Sequence, residues 1–368
     1  MRLTHRSPLW RRLAISAAAA AGAVTVAVLA PQQAGALVPS AVPVAVVDYD
    51  SHDAAQYAAR WVNPYGPLDG VVPQVDASGA VTLSDVPFKP GTDFSVFDHL
   101  KYIGVSTQTF AVPKVGTVTF EVDIAASTPG ATAGHVVHGV YGPPGSWSLA
   151  DPTARPYTAT VLEGQQAGVV LNMIDFCTGQ LFDWFVSGGS VFPLIERLPT
   201  SITGNTSNPG CPGATEVGLD KAYTQIIKNI PVTPGPAHHV GISFSRSAGQ
   251  SSVSYVLDGK VVATITNVGI PLDRQGTRYA WTGTYPSLGP GEKLADQIDS
   301  LSIGHGLFSL LDAFPFQYGC SPATTSPGAG ACSPESAAYS VSISPAERSF
   351  GQGAEGVFSG FRVTTTGR

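Results

Sequence analysis

From Gly116 to Ser127 the chain reads GTVTFEVDIAAS, with apolar Val118, Phe120, Val122 and Ile124 at every second position. Thr117, Thr119, Glu121 and Asp123 fill the places between them. Side chains alternate between the two faces of a strand, so this period of two makes one face oily and the other wet or groove-lining. A helix would scatter the same residues around its circumference. The stretch therefore predicts a strand with one face in a core. A second unit, HHVGISFSRSAGQSSVSYVLDGKVVATIT over 238–266, repeats the pattern. Val240, Ile242 and Phe244 alternate with small or polar residues, and Val253, Tyr255 and Leu257 do nearly the same. Between them and Lys260, Asp258-Gly259 predicts a type I′ turn, whose two central residues both need positive φ. Three antiparallel strands follow.

Further strands are expected at Val44–Asp48, Val81–Leu83, Gly168–Ile174, Leu181–Val186, Val191–Arg197, Gln297–Ile303 and Val357–Thr364, with VSGGSV a second hairpin signal. With 41 Gly and 30 Pro, the chain has turns in plenty and little room for helix. Only Ala54–Ala59, Lys221–Asn229 and Leu307–Phe314 read as short helices. Many short strands point to an all-β sandwich or jelly roll of two antiparallel sheets.

Residues 1–36 read as an export signal. Arg2, Arg6, Arg11 and Arg12 precede an uncharged run from Leu13 to Ala30, and Ala34-Gly35-Ala36 offers small residues for cleavage. An uncleaved anchor is the rival reading. Residues 37–368 then form a single β-sandwich domain in a secreted, extracellular protein. Cleavage removes four of the 20 basic residues and none of the 26 acidic ones, leaving a formal charge of −10. That sign disfavours nucleic acid and anionic membrane as partners. Cys177, Cys211, Cys320 and Cys332 give an even count, which in an exported chain predicts two disulfides with three pairings open.

Several blocks carry a resemblance. The Y-x-L-D-G-K-x-V hairpin after HHVGISF is similar to strands of concanavalin-A-like lectin and glucanase jelly rolls. FDHLKYIG (97–104), FDWFV (182–186), IERLP (195–199), IGHGLFSLLDAF (303–314) and FGQGAEG (350–356) resemble an uncharacterised family of actinobacterial secreted proteins with that fold. The resemblance implies the fold and brings no activity with it.

The residues themselves supply the candidates for chemistry. A retaining glycosidase needs two carboxyl groups about 5 Å apart. Glu121 and Asp123 share one face, but Ala125 and Ala126 occupy both places where the completing acid would stand. The row lacks its acid/base, although its face can still line a sugar groove. Around a Gly188-Gly189 turn, Asp183 falls opposite Leu194, with Glu196 its diagonal neighbour on the same face. Trp184 and Arg197 fall on the other face, where Trp184 is either a stacking platform or core. Asp98, His99 and Lys101 form a polar group that is either a structural salt bridge or a site where His99 moves a proton or bonds a sugar hydroxyl. His305, between glycines, is a further ligand candidate, or its glycines mark a tight turn. Asp48 and Asp50, with Asp53, offer hard oxygen ligands for a structural calcium ion, or else a turn with an Asp cap before Ala54. No other cofactor is expected.

The leading expectation is a protein that binds an extracellular glycan without a complete glucanase carboxylate row. A glycoside hydrolase or polysaccharide lyase using Asp183, Glu196 and His99 is the alternative. A structural or interaction protein of the cell envelope is the third reading.

Overall fold

The period-two segments do become strands. The structure, a computed structural model, describes residues 44–64, 70–89, 100–142, 157–197, 223–268, 292–311, 340–342 and 349–368. Residues 1–36, Asp98, His99, Cys211, Cys320 and Cys332 lie outside the described residues. In chain order the strands begin with β1 (Val44–Asp48), β2 (Trp61–Val62), β3 (Gln74–Val75), β4 (Val81–Asp85), β5 (Leu100–Ser106), β6 (Phe110–Ala111) and β7 (Gly116–Ser127). Next come β8 (Val136–Gly142), β9 (Tyr157–Leu162), β10 (Gly168–Asp175), β11 (Gln180–Val186), β12 (Ser190–Arg197), β13 (Tyr223–Ile226) and β14 (Ile230–Pro231). The rest are β15 (His238–Ser247), β16 (Gln250–Leu257), β17 (Lys260–Ile265), β18 (Asn267–Val268), β19 (Glu292–Lys293), β20 (Ser300–Phe308), β21 (Ser340–Ser342) and β22 (Ala354–Gly367). Among the described residues one α-helix, α1 (Ala54–Arg60), starts at Asp53, whose carboxylate accepts the Gln56 amide at 2.8 Å.

Two large antiparallel sheets result. The first runs β17-β16-β15-β7-β22-β4-β3, with β1 also on β22. The second runs β13-β12-β11-β10-β20-β5-β2, with β14 on β12 and β6 on β20. They pack face to face as a jelly-roll sandwich. Val118, Phe120, Val122 and Ile124 of β7 are buried, as their spacing predicts. Across the interface the Phe244 and Phe182 rings lie 5.8 Å apart, and Trp184 meets Tyr255 edge-on at 5.7 Å. Two buried hydrogen bonds tie the sheets: Trp184 Nε1 donates to the Gly241 carbonyl at 2.8 Å, and the Tyr255 hydroxyl to the Leu194 carbonyl at 2.7 Å. Burial supplies most of the cohesion, at about 25 cal/mol per Å² of apolar surface. The hydrogen bonds fix which side chains face each other.

Asp258 and Gly259 take positive φ of 49° and 75°, the backbone of a type I′ turn. Two expected helices are corrected. Tyr223–Ile226, within the expected Lys221–Asn229 helix, pairs with β12 as a strand. Leu307 and Phe308, expected to begin a helix, end β20. Both faces of β20 are covered, so its apolar run has no period of two and reads like a buried helix.

Candidate functional site

β7 carries its wet face into the open side of the first sheet. Antiparallel pairing sets His239 of β15 opposite Asp123, and Gly241 opposite Glu121. On the other flank, Arg362 of β22 stands opposite Glu121. A bulge makes that last pairing possible. From Ser359 to Arg362, β22 has one residue more than β7, and Gly360 takes φ +72°, which a Cβ would strain. The extra residue lets Phe358 and Phe361 both enter the core and returns Arg362 to the wet face. Asp50 fastens the bulge by accepting the Phe361 amide at 2.7 Å.

These residues form one connected group. His239 Nδ1 lies 2.7 Å from Asp123 Oδ1, and its Nε2 lies 3.4 Å from Glu121 Oε1. Arg362 reaches the other Glu121 oxygen at 3.4 Å. Water has access: the side chains are 34% exposed for His239, 49% for Asp123 and 22% for Glu121. Gly241 lets the Glu121 side chain lie close against β15, since a Cβ there would stand 3.3 Å from Glu121 Cγ and 3.5 Å from Val256. The rest of the face carries hydroxyls, including the pairs Thr119–Ser243 and Thr117–Ser245, each at 2.8 Å. Such a surface offers carboxylate acceptors, cationic and imidazole donors, and hydroxyls that can do both.

Asp183 and Glu196 sit on the second sheet. Trp184 and Phe182 point at the first sheet, so Asp183 points away from it. Asp183 pairs with Leu194 in register, and Glu196 shares its face one step along. Asn172, opposite on β10, donates to the Asp183 carboxylate. Both acids are buried, at 2% and 3% exposure. Burial first, and the Glu196 charge second, push the Asp183 carboxyl well above the usual carboxylate range.

Four expected ligand contacts are corrected. Trp184 is wholly buried in the core and cannot stack on a sugar, because its indole is spent on the opposite sheet. His305 is also wholly buried, edge-on to Trp61 and Phe358, with Nε2 2.8 Å from the Tyr57 hydroxyl. Its flanking glycines mark close packing on β5 and β10; opposite it, Gly104 makes room, where a Cβ would fall 2.8 Å from the imidazole. Arg197 is buried on the core-facing side, where its charge lowers the Asp175 carboxyl against the larger upward effect of burial. Lys101, the extra residue of a bulge against β20, is buried and donates to the Lys89 carbonyl at 3.1 Å. Asp48 and Asp50 each use one carboxylate oxygen as an acceptor, for the amides of Asp50 and Phe361. Among the described residues no three His, Cys, Asp or Glu side chains gather as a metal site. Cys177 is not a free thiol. Its pairing with Cys211, Cys320 or Cys332 falls outside the described residues.

Sequence reasoning missed His239 and Arg362. His239 was within reach, since the alternation of Val240 and Ile242 puts it on the wet face. Arg362 was not, because a simple alternation through FSGFRV places Phe358 and Phe361 on opposite sides.

Residues 73–367 match the profile of a "Family of unknown function (DUF6081)". No curated protein matches the chain. Among solved structures, the chain is similar to an endo-1,3-beta-glucanase from Streptomyces sioyaensis at 11% identity and TM-score 0.37, covering 91% of this chain and 100% of that one. It is similar to the exolytic alginate lyase AlyA5 from Zobellia galactanivorans at 10% identity and TM-score 0.37, covering 84% and 96%. It is also similar to lectin UEA-II, complexed with galactose, at 10% identity and TM-score 0.31, covering 89% and 99%. At these values no reaction or ligand passes from those proteins to this chain.

Proposed function

The chain belongs to this family of unknown function, and from its own residues we propose that it is an exported protein that binds an extracellular glycan on the open face of its first sheet. The observation that carries the proposal is the group Glu121, His239, Asp123 and Arg362, held together at 2.7–3.4 Å on a hydroxyl-lined, water-accessible surface. Sugars present hydroxyls that donate and accept, and carboxylate, imidazole and guanidinium groups meet both needs. Binding without cleavage is the favoured form. Ala125 and Ala126 supply no carboxyl at either place where an acid/base partner for Glu121 would stand.

The test is the mature chain on an array of plant and cell-wall glycans. Binding is expected, with loss in Glu121→Gln and in His239→Ala while circular dichroism stays unchanged. No binding above background on the whole array would overturn the proposal.

The second reading is a glycoside hydrolase or polysaccharide lyase working through Asp183 and Glu196. What favours it is the raised Asp183 carboxyl beside a second acid, the pairing an acid/base step uses. Their burial opposes it. Release of reducing or unsaturated ends from a polysaccharide panel, abolished in Glu196→Gln, would replace the first reading with this one.

A further inference from the structure

The open face of the first sheet holds more than the charged group. One step along the strands from Glu121, hydroxyls line up across five neighbouring strands. Thr364 of β22 stands opposite Thr119 of β7, which faces Ser243 of β15, then Ser254 of β16 and Thr264 of β17. A step further along, Thr366, Thr117, Ser245 and Ser252 form a second row across four strands. All are partly or fully exposed. Strands lie about 4.8 Å apart, so the first row is about 19 Å long, and the rows are about 7 Å from each other.

We infer that these two rows are the bed for an uncharged, linear, extended polysaccharide lying across the strands. The inference rests on the glycan reading above and names the class of glycan. Three observations support it. First, the spacing of neighbouring hydroxyls is close to the repeat of an extended β-linked sugar chain, so successive rings meet successive strands. Second, the hydroxyls are paired across strands, Thr119 with Ser243 and Ser254 with Thr264, at 2.8 and 2.9 Å. In each pair one O–H is spent on its neighbour. That leaves one O–H and lone pairs in each pair for an outside partner, matching the mixed donor and acceptor needs of sugar hydroxyls. Third, neither row contains a cation, and Arg362 alongside already meets Glu121. A uronate or sulfate ester laid on these rows would lose water without gaining a counter-charge. The chain's formal charge of −6 also repels it.

The test uses the mature chain and oligosaccharides of two to eight units in titration calorimetry: cello-, manno- and xylo-oligomers against alginate and polygalacturonate oligomers. A neutral series is expected to bind, with affinity climbing to about five units, the number of strands in the first row, and then levelling. The double variant Ser243→Ala, Ser254→Ala is expected to weaken it at least tenfold with an unchanged melting temperature. Preference for the uronate series would overturn the inference and leave the glycan reading standing. So would binding that is complete at two units, or that is indifferent to the double variant yet lost in Glu121→Gln. Failure of every oligomer, and of the array above, would remove both.

Discussion

The molecule holds two pairs of acids in close register, and the sandwich treats them in opposite ways. Glu121 and Asp123 face water on the first sheet, with His239 between them and Arg362 beside them. Asp183 and Glu196 are shut in on the second sheet, where Asn172 donates to Asp183 and burial drives its carboxyl towards the protonated form. The residue types are the same; what differs is the far side of the sheet. An open face lets an acid trade water for a ligand. A covered face makes the same acid a hydrogen-bonded neutral group, or a costly one. On the proposed reading, ligand contact falls to the open pair and stability to the closed one.

The largest effect expected from this contrast is in the pH dependence of stability, where two buried groups act with opposite signs. Burial lowers the His305 imidazole to about 3. Below pH ~6.5 the unfolded chain therefore binds a proton that the folded one refuses, and stability falls as pH drops towards 3, by about 4–5 kcal/mol in all. Asp183 is raised, so the folded chain holds the extra proton above pH ~4, and that contribution is lost as pH rises through its folded value. Urea unfolding across pH 3–8 should show His305→Gln flattening the acid limb and Asp183→Asn flattening the other. Unchanged limbs in both variants would break the interior half of the comparison.

Next in size is truncation of the closed pair. Asp183→Ala leaves the Asn172 amide without its acceptor and opens a small void, a loss of about 2–4 kcal/mol. Asp183→Asn keeps the shape and the neutral state, and should stay within about 1 kcal/mol of the parent. If Asp183→Ala instead kept full stability and removed a glycan-cleaving activity, the closed pair would be the working site after all.

How far the sequence foretold this depends on what set each position. Glu121 and Asp123 on a wet face, the Asp258-Gly259 turn and the register placing Asp183 opposite Leu194 all follow from local rules of alternation and turn geometry. Trp184 was readable as core or platform, and only the neighbouring sheet decides between them. His305 misled because a histidine between glycines looks like an open pocket, whereas here the glycines admit packed neighbours. Lys101 and Arg362 turn on bulges, and a bulge shifts the alternation by one residue without any period in the sequence announcing it.

That bulge gives a third, smaller prediction, joining the two halves of the comparison. Gly360→Ala forces a Cβ onto a left-handed residue and should cost about 1–2 kcal/mol. Thermal unfolding would record that loss. Relaxation of the bulge should also carry Arg362 away from Glu121, so glycan affinity should fall towards that of an Arg362→Ala variant. Parental affinity in Gly360→Ala, with affinity lost in Arg362→Ala, would mean that the bulge serves only the core.

The smallest expected effect is the most discriminating. Glu121→Gln removes a charge facing His239 and Arg362 in contact with water, where pairs of this kind contribute roughly 0–1 kcal/mol. Salt screens them further. Chemical denaturation of Glu121→Gln should thus lie within about 0.5 kcal/mol of the parent at moderate salt. A loss of several kcal/mol would say that the open group is a structural clamp between β7, β15 and β22, with no spare capacity for a ligand. A loss near zero, with glycan binding gone, would show four side chains kept together for contact with something outside the protein.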